Sequence, residues 1–206
     1  MTQREMDESF LAQIHNFDTD SEYEFQTHEK NIFLTRAYKE IVDELYGNFE
    51  KSERVRKLLL PLTYNAEVTD ITSSSLYTNA FVANLFNVTP QVLYILSEEI
   101  VLSNETRLII KPITLDSYTA NKPNPFKKPY KRLAWRLDIG NGTTSVYLIC
   151  TYTPAKYSIT YLRHPEEINV TSDSSILINK DVHTDIVDRA VQHALSAKQT
   201  NKNLKS

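Results

Sequence analysis

The chain has 206 residues, 41% of them hydrophobic, with 23 basic and 26 acidic side chains for a net charge of −3. That length suits one domain or two small subdomains burying roughly 70% of the unfolded chain's surface, and the near-balanced charge gives no global pull toward nucleic acid. Only Gly47, Gly140 and Gly142 are present, against roughly 14 at average usage, which speaks against the glycine-dependent P-loop, dinucleotide fingerprint and nucleophile elbow.

Taken in order, Met6, Phe10, Ile14 and Phe17 recur at near-helical spacing and predict an amphipathic helix over residues 3–17. An acidic connector, Asp18 to Glu24, follows. Ile32, Phe33, Ala37, Ile41, Val42 and Leu45 mark a second helix from about Glu29 to Tyr46, with Gly47 at the position of a C′ glycine. Ser52 is placed to cap a third helix that Pro61 stops. Residues 1–62 therefore read as a helical hairpin or small bundle.

From Tyr64 the composition turns to strand formers. Candidate strands are Ala80 to Phe86, Val92 to Leu96, Glu99 to Leu102 and Arg107 to Ile113. A buried helix from Thr89-Pro90 is the competing reading of the Val92 run. Thr114 to Ala120 has room for a helical turn or two, and NKPNPFKKPY, residues 121–130, holds three prolines and reads as an irregular arm. Leu133, Trp135, Leu137 and Ile139 alternate with polar residues, as do Val146, Leu148, Cys150 and Tyr152 beyond Asn141-Gly142. A type I′ turn at that dipeptide would set Leu137 against Val146, Trp135 against Leu148 and Leu133 against Cys150, with Arg136 near Tyr147. Tyr157, Ile159 and Tyr161 continue this as the third strand of an antiparallel meander. The last helix begins after Asn179 and carries a stripe from Val182 through Ile186, Val187, Ala190, Val191 and Ala194 to Leu195.

The expected fold class is thus α+β. A helical part (1–62) and a C-terminal helix (179–197) that packs on it lie beside an antiparallel sheet or sandwich (63–178), and a flexible tail follows (198–206). No stretch approaches 18 uninterrupted apolar residues, and the opening MTQREMDESF has no apolar run of signal-peptide length. The expectation is a chain neither membrane-spanning nor exported by that route.

No residue pattern carries catalysis. The five histidines lack metal-site spacing, and His183 and His193 stand about 15 Å apart on one helix. Glu98-Glu99 and Glu166-Glu167 read as solvated edges and turns, because adjacent residues on a strand point to opposite faces. Serines 73–75, 172, 174 and 175 have no histidine base nearby in sequence. Cys150, the only cysteine, reads as a buried, inert thiol. The Asn-X-Thr triplets at Asn87, Asn104, Asn141 and Asn169 read as turn and strand-edge residues. Phe126, Lys127, Lys128, Tyr130, Lys131 and Arg132 form the one basic cluster with aromatics beside it. It suits an acidic neighbouring subunit, nucleic-acid phosphates or a plain solvated loop.

The ordered set MTQREMDESFLAQIHNFD, FLTRAYKEIVDELYGNFEKSERVRKLLLPL, PQVLYILSEEIVL, NPFKKPYKRLAWRLDI, YSITYLRHPEEI and DVHTDIVDRAVQHAL resembles virion structural proteins of crAss-like bacteriophages. The resemblance implies a ring-forming adaptor in the head-to-tail connector. Its partners would be other copies of itself in a twelvefold ring, the portal protein and adjacent tail rings. DNA would pass through the channel without sequence-specific binding. The protein would reside in the virion after assembly in the host cytoplasm, with no cofactor, no metal and no enzymatic role. Under this reading Phe126, Lys127, Lys128, Tyr130, Lys131, Arg132 and the hairpin tip Asn141-Gly142 would touch neighbouring subunits, with acids such as those of Asp18 to Glu24 facing the arm. The alternatives are a DNA-contacting virion accessory protein and an enzyme with an unrecognised site.

Overall fold

A computed structural model describes residues 1–17, 25–124, 126–138 and 145–203. The chain forms two compact units, residues 1–62 with 165–206 and residues 63–164.

The first unit is built from α1 (Gln3–Phe17), α2 (Thr27–Gly47), α3 (Glu53–Leu59) and α5 (His183–Asn203). α1 opens on a Thr-x-x-Glu box: the Glu5 amide donates to the Thr2 hydroxyl, and the Thr2 amide to the Glu5 carboxylate at 2.8 Å. Ser52 caps α3 by accepting from the Val55 amide. Met6, Phe10 and Ile14 of α1 and Leu34, Ala37, Tyr38, Ile41 and Val42 of α2 are buried, as are Ile186, Val187, Ala190, Val191 and Ala194 of α5. α5 packs on α1 and α2. Ion pairs of Lys30 with Asp7 and Arg189 with Glu44, and a contact between the His193 Nε2 and the Glu40 carboxylate, each at 2.8 Å, join the helices. Phe17 and Ile32 depart from the predicted stripes and are exposed. Gly47 is the last residue of α2, and Asn48 takes the C-cap. Residues 165–178 form a strap with little regular structure but with buried Ile168, Val170, Ile176 and Ile178. Side chains of α1 and α2 satisfy its amides: Ile168 donates to Thr35, Asn169 to Gln3 and Val170 to Asn31. α5 continues past Lys198 to Asn203.

The second unit is one eight-stranded sheet with α4 (Leu115–Asn121) between its fifth and sixth strands. The strands are β1 (Thr63–Val68), β2 (Ile71–Ser74), β3 (Ala80–Asn84), β4 (Val92–Leu102), β5 (Arg107–Ile113), β6 (Leu133–Leu137), β7 (Ser145–Ile149) and β8 (Pro154–Arg163). Their order is β1-β8-β4-β5-β6-β7-β3-β2. A flat sheet of this width would span about 34 Å at 4.8 Å per strand. Here a single buried cluster draws Val68, Ala83, Ile100, Leu108, Ala134, Leu148 and Ile159 from seven strands, and Ile71 of β2 packs against it. The sheet therefore curls around its own core. The Val92 run is strand throughout, so it is not a buried helix.

Three features of the strand pairing differ from the sequence expectation. Leu137 lies opposite Tyr147, Arg136 opposite Leu148 and Trp135 opposite Ile149, one residue out of the register that a two-residue Asn141-Gly142 turn demands. Because strand side chains alternate, the slip reassigns every face. Trp135, Leu137 and Ile149 fill a second cluster with Ala80 and Tyr118, while Ala134, Val146, Leu148 and Cys150 face the main core. Both faces of this hairpin are buried, so polar-apolar alternation was a misleading guide. Nor is there a meander: β8 pairs with β1 and β4, and β7 pairs with β6 and β3. The β5–β6 pair is parallel, in contrast to the all-antiparallel expectation. Parallel neighbours need a crossover of a dozen or more residues, and residues 114–132, with α4 and the arm, supply it.

Candidate assembly surface

The arm leaves α4, whose cap is Thr114 accepting from the Ser117 amide at 3.3 Å. It is fixed where it rejoins the sheet. Tyr130 and Leu133 exchange both backbone hydrogen bonds, at 3.1 and 3.0 Å, and the Arg132 carbonyl accepts from the Ile109 amide of β5. Between these anchors the side chains project outward: Phe126 is 95% exposed and Tyr130 60%. Lys127, Lys128, Lys131 and Arg132 are exposed too, and none forms an ion pair within the described residues. The structure thus brings six of the predicted contact residues onto one arm. Asn141 and Gly142, and the acidic connector Asp18 to Glu24, lie outside the described residues.

Sequence reasoning missed a cleft beside this arm. Its volume is about 410 Å³, and its lining includes Tyr118, Lys122, Lys128, Trp135, Ile149 and Cys150. Its aromatic lining residues, Tyr118 and Trp135, meet edge-on at 6.4 Å, and behind them Tyr77 meets Tyr118 at 5.1 Å and Tyr147 at 5.5 Å. Lys122 stands 5.9 Å from the Tyr118 ring centre. The register slip is what makes this wall, since it turns Trp135 and Ile149 toward α4.

A polar network lies inside the curl and overturns the solvated reading of Glu98. That residue is 7% exposed; it accepts from the Tyr157 hydroxyl at 2.6 Å and pairs with Arg136 at 3.0 Å. Arg136 also meets Asp138. Burial, then the Glu98 charge, holds the Tyr157 hydroxyl well above its ordinary range. Arg136 sits opposite Leu148 rather than near Tyr147. Glu99, one residue on, points outward to Arg107 at 2.7 Å. Every charge in the network has an internal partner, so the arrangement holds three strands together and offers no free acid or base.

Four of the remaining candidates sit in local structural contacts or in the core. Burial, then the neighbouring amino terminus, pushes the His183 imidazole down; its Nδ1 lies 2.9 Å from the Met1 nitrogen. Burial pushes the Cys150 thiol up to about 11. Asn104 and Asn169 accept from the amides of Thr106 and Thr171, as turn residues do. Among the described residues, no group of three His, Cys, Asp or Glu side chains is placed to hold a metal ion. No described helix is long and apolar enough to cross a membrane.

Comparison with known proteins bears on this exposed, charged arm and the cleft beside it. A family model described as phage tail ring protein 3/4 matches residues 1–206. The chain is 26% identical to ring protein 3 of Bacteroides phage crAss001 over 226 residues, covering 96% of each chain. It is 24% identical to ring protein 4/5 of the same phage over 225 residues, covering 97% of this chain and 94% of that one. The chain therefore belongs to the phage tail ring protein 3/4 family, structural ring proteins of the virion.

Proposed function

We propose that copies of this chain close into a ring within the head-to-tail connector, where they continue the DNA channel between the portal and the tail and present a surface to the next ring. The supporting observation is the arm: four cations and two aromatic side chains exposed together, without an acidic partner among the described residues. On an isolated monomer such a surface faces water; in a head-to-tail ring each subunit offers it to a different face of the next. The ring has the portal's twelvefold order, and the role is structural rather than enzymatic. Acids of a neighbour, those of Asp18 to Glu24 among them, meet Lys127, Lys128, Lys131 and Arg132, while Asn141-Gly142 reaches the adjoining copy.

Light scattering and negative-stain imaging test this, on the protein alone, with the portal protein and with the other ring proteins of the same phage. The expected result is a closed ring, or a collar added to the portal. A monomer under all three conditions removes the reading. The same exposed cations support a second reading, direct contact with DNA. Duplex binding that weakens steeply between 50 and 200 mM salt, at roughly one unit of log slope per phosphate contacted, would favour it.

A further inference from the structure

We infer that the cleft beside the arm is the socket for Tyr23 of a second copy of this chain, with Glu22 and Glu24 engaging the lysines at its rim. The inference rests on the ring reading and names the contact that closes it. A volume of about 410 Å³ falls within the range of pockets that hold a compact ligand. Its floor, Tyr118, Trp135 and Ile149, rewards an aromatic ring, because edge-to-face partners add to the gain from apolar burial. Its rim is cationic. Lys122 and Lys128 line it, and neither forms an ion pair within the described residues. The occupant should therefore carry an aromatic side chain with carboxylates beside it.

The chain contains that combination once: of its 12 tyrosines, 8 phenylalanines and one tryptophan, only Tyr23 has an acidic residue on each side. It sits in Asp-Thr-Asp-Ser-Glu-Tyr-Glu, residues 18–24, which holds no basic residue. The cleft is lined by residues between Thr78 and Thr151, and Tyr23 lies outside that stretch of sequence, so the two halves of the contact come from different parts of the chain, as a heterologous, ring-closing contact requires. Tyrosine in a well-packed, desolvated pocket is also a common interface hot spot.

Photo-crosslinking on the full-length protein tests it. p-Benzoylphenylalanine replaces Tyr23, the variant is mixed with isotope-labelled wild-type protein, and crosslinked peptides are mapped after illumination while light scattering records the assembly state. The expected crosslinks join a light to a heavy chain and fall on the segments around Tyr118 to Lys122 and Trp135. Lys122→Glu with Lys128→Glu should lower their yield by at least about tenfold, and adding Glu22→Lys with Glu24→Lys to those chains should restore it. Crosslinks elsewhere, crosslinks within one chain only, or a yield indifferent to charge reversal would overturn the inference. Rings without cleft crosslinks leave the assembly reading standing and remove the socket. Cleft crosslinks between two chains that never close a ring do the reverse.

Discussion

Replacing Arg136 by methionine leaves the Glu98 carboxylate inside the curled sheet without its counter-ion. Glu98 is 7% and Arg136 13% exposed at the side chain, so water compensates for little of the lost partner. At an effective dielectric constant of 20, two charges about 4 Å apart attract by about 4 kcal/mol, and breaking a buried pair from one side costs about 3–5 kcal/mol. Glu98→Gln keeps an acceptor for the Tyr157 hydroxyl while removing the stranded charge. The double variant, Arg136→Met with Glu98→Gln, should therefore recover about 2–3 kcal/mol relative to Arg136→Met alone. Urea denaturation followed by fluorescence measures this in the relevant unit, because the chain's one tryptophan, Trp135, is the neighbour of Arg136 on β6. A midpoint shift at constant m-value reads as stability. A cost below about 1 kcal/mol for Arg136→Met, or single-variant costs that simply add in the double, would refute the buried-pair account.

Ser52→Ala should cost about 1 kcal/mol or somewhat less, since the cap to Val55 is 3.4 Å long; hydrogen exchange should locate the loss in α3. Stability should fall as pH drops below about 6.5. His183 binds its proton more weakly folded than unfolded, so between its lowered value and about 6.5 the unfolded chain takes up more protons, and stability rises with pH across that window. His183→Gln should flatten this slope relative to wild type in urea titrations at pH 5.5 and 7; an unchanged slope would assign it to other groups. Cys150, held at about 11 and buried, should react with iodoacetamide at pH 8 at least roughly a hundredfold slower in the native protein than in denaturant. Comparable rates would mean that β7 opens readily.

The helical unit was legible because its signals are local. The bounds of α1, the Ser52 cap and the stripe on α5 each rest on residues three or four apart. The Thr2–Glu5 box is equally legible in MTQRE. The sheet was legible as strands but not as pairings. β1 and β8 meet across nearly a hundred residues of sequence, and nothing in Thr63–Val68 announces that partner. The hairpin failed for a physical reason: Asn-Gly is a strong turn signal, yet both faces of β6 and β7 are buried, so patterning did not oppose a one-residue slip. The basic arm was readable from composition and proline content. The cleft was not, because Trp135, Tyr118 and Ile149 converge only through the parallel crossover and that slip. Glu98 looked like a solvated acid because its partners, Arg136 and Tyr157, arrive from strands far away in sequence.

The first strand of the sheet begins opposite the place where the last one ends: Thr63 pairs with Leu162. Once the sheet has formed, the chain thus enters and leaves it at adjacent points. This matters for the order of folding, because α5 must join α1 and α2 across the whole insertion 63–164. Closing a loop of about a hundred residues rather than one of a few costs about 3 kcal/mol more in chain entropy. A folded sheet removes that penalty in advance. The apolar stripes of α1 and α2 are covered only when α5 joins them, so a chain whose sheet has already formed reaches that packing with less loop entropy left to lose.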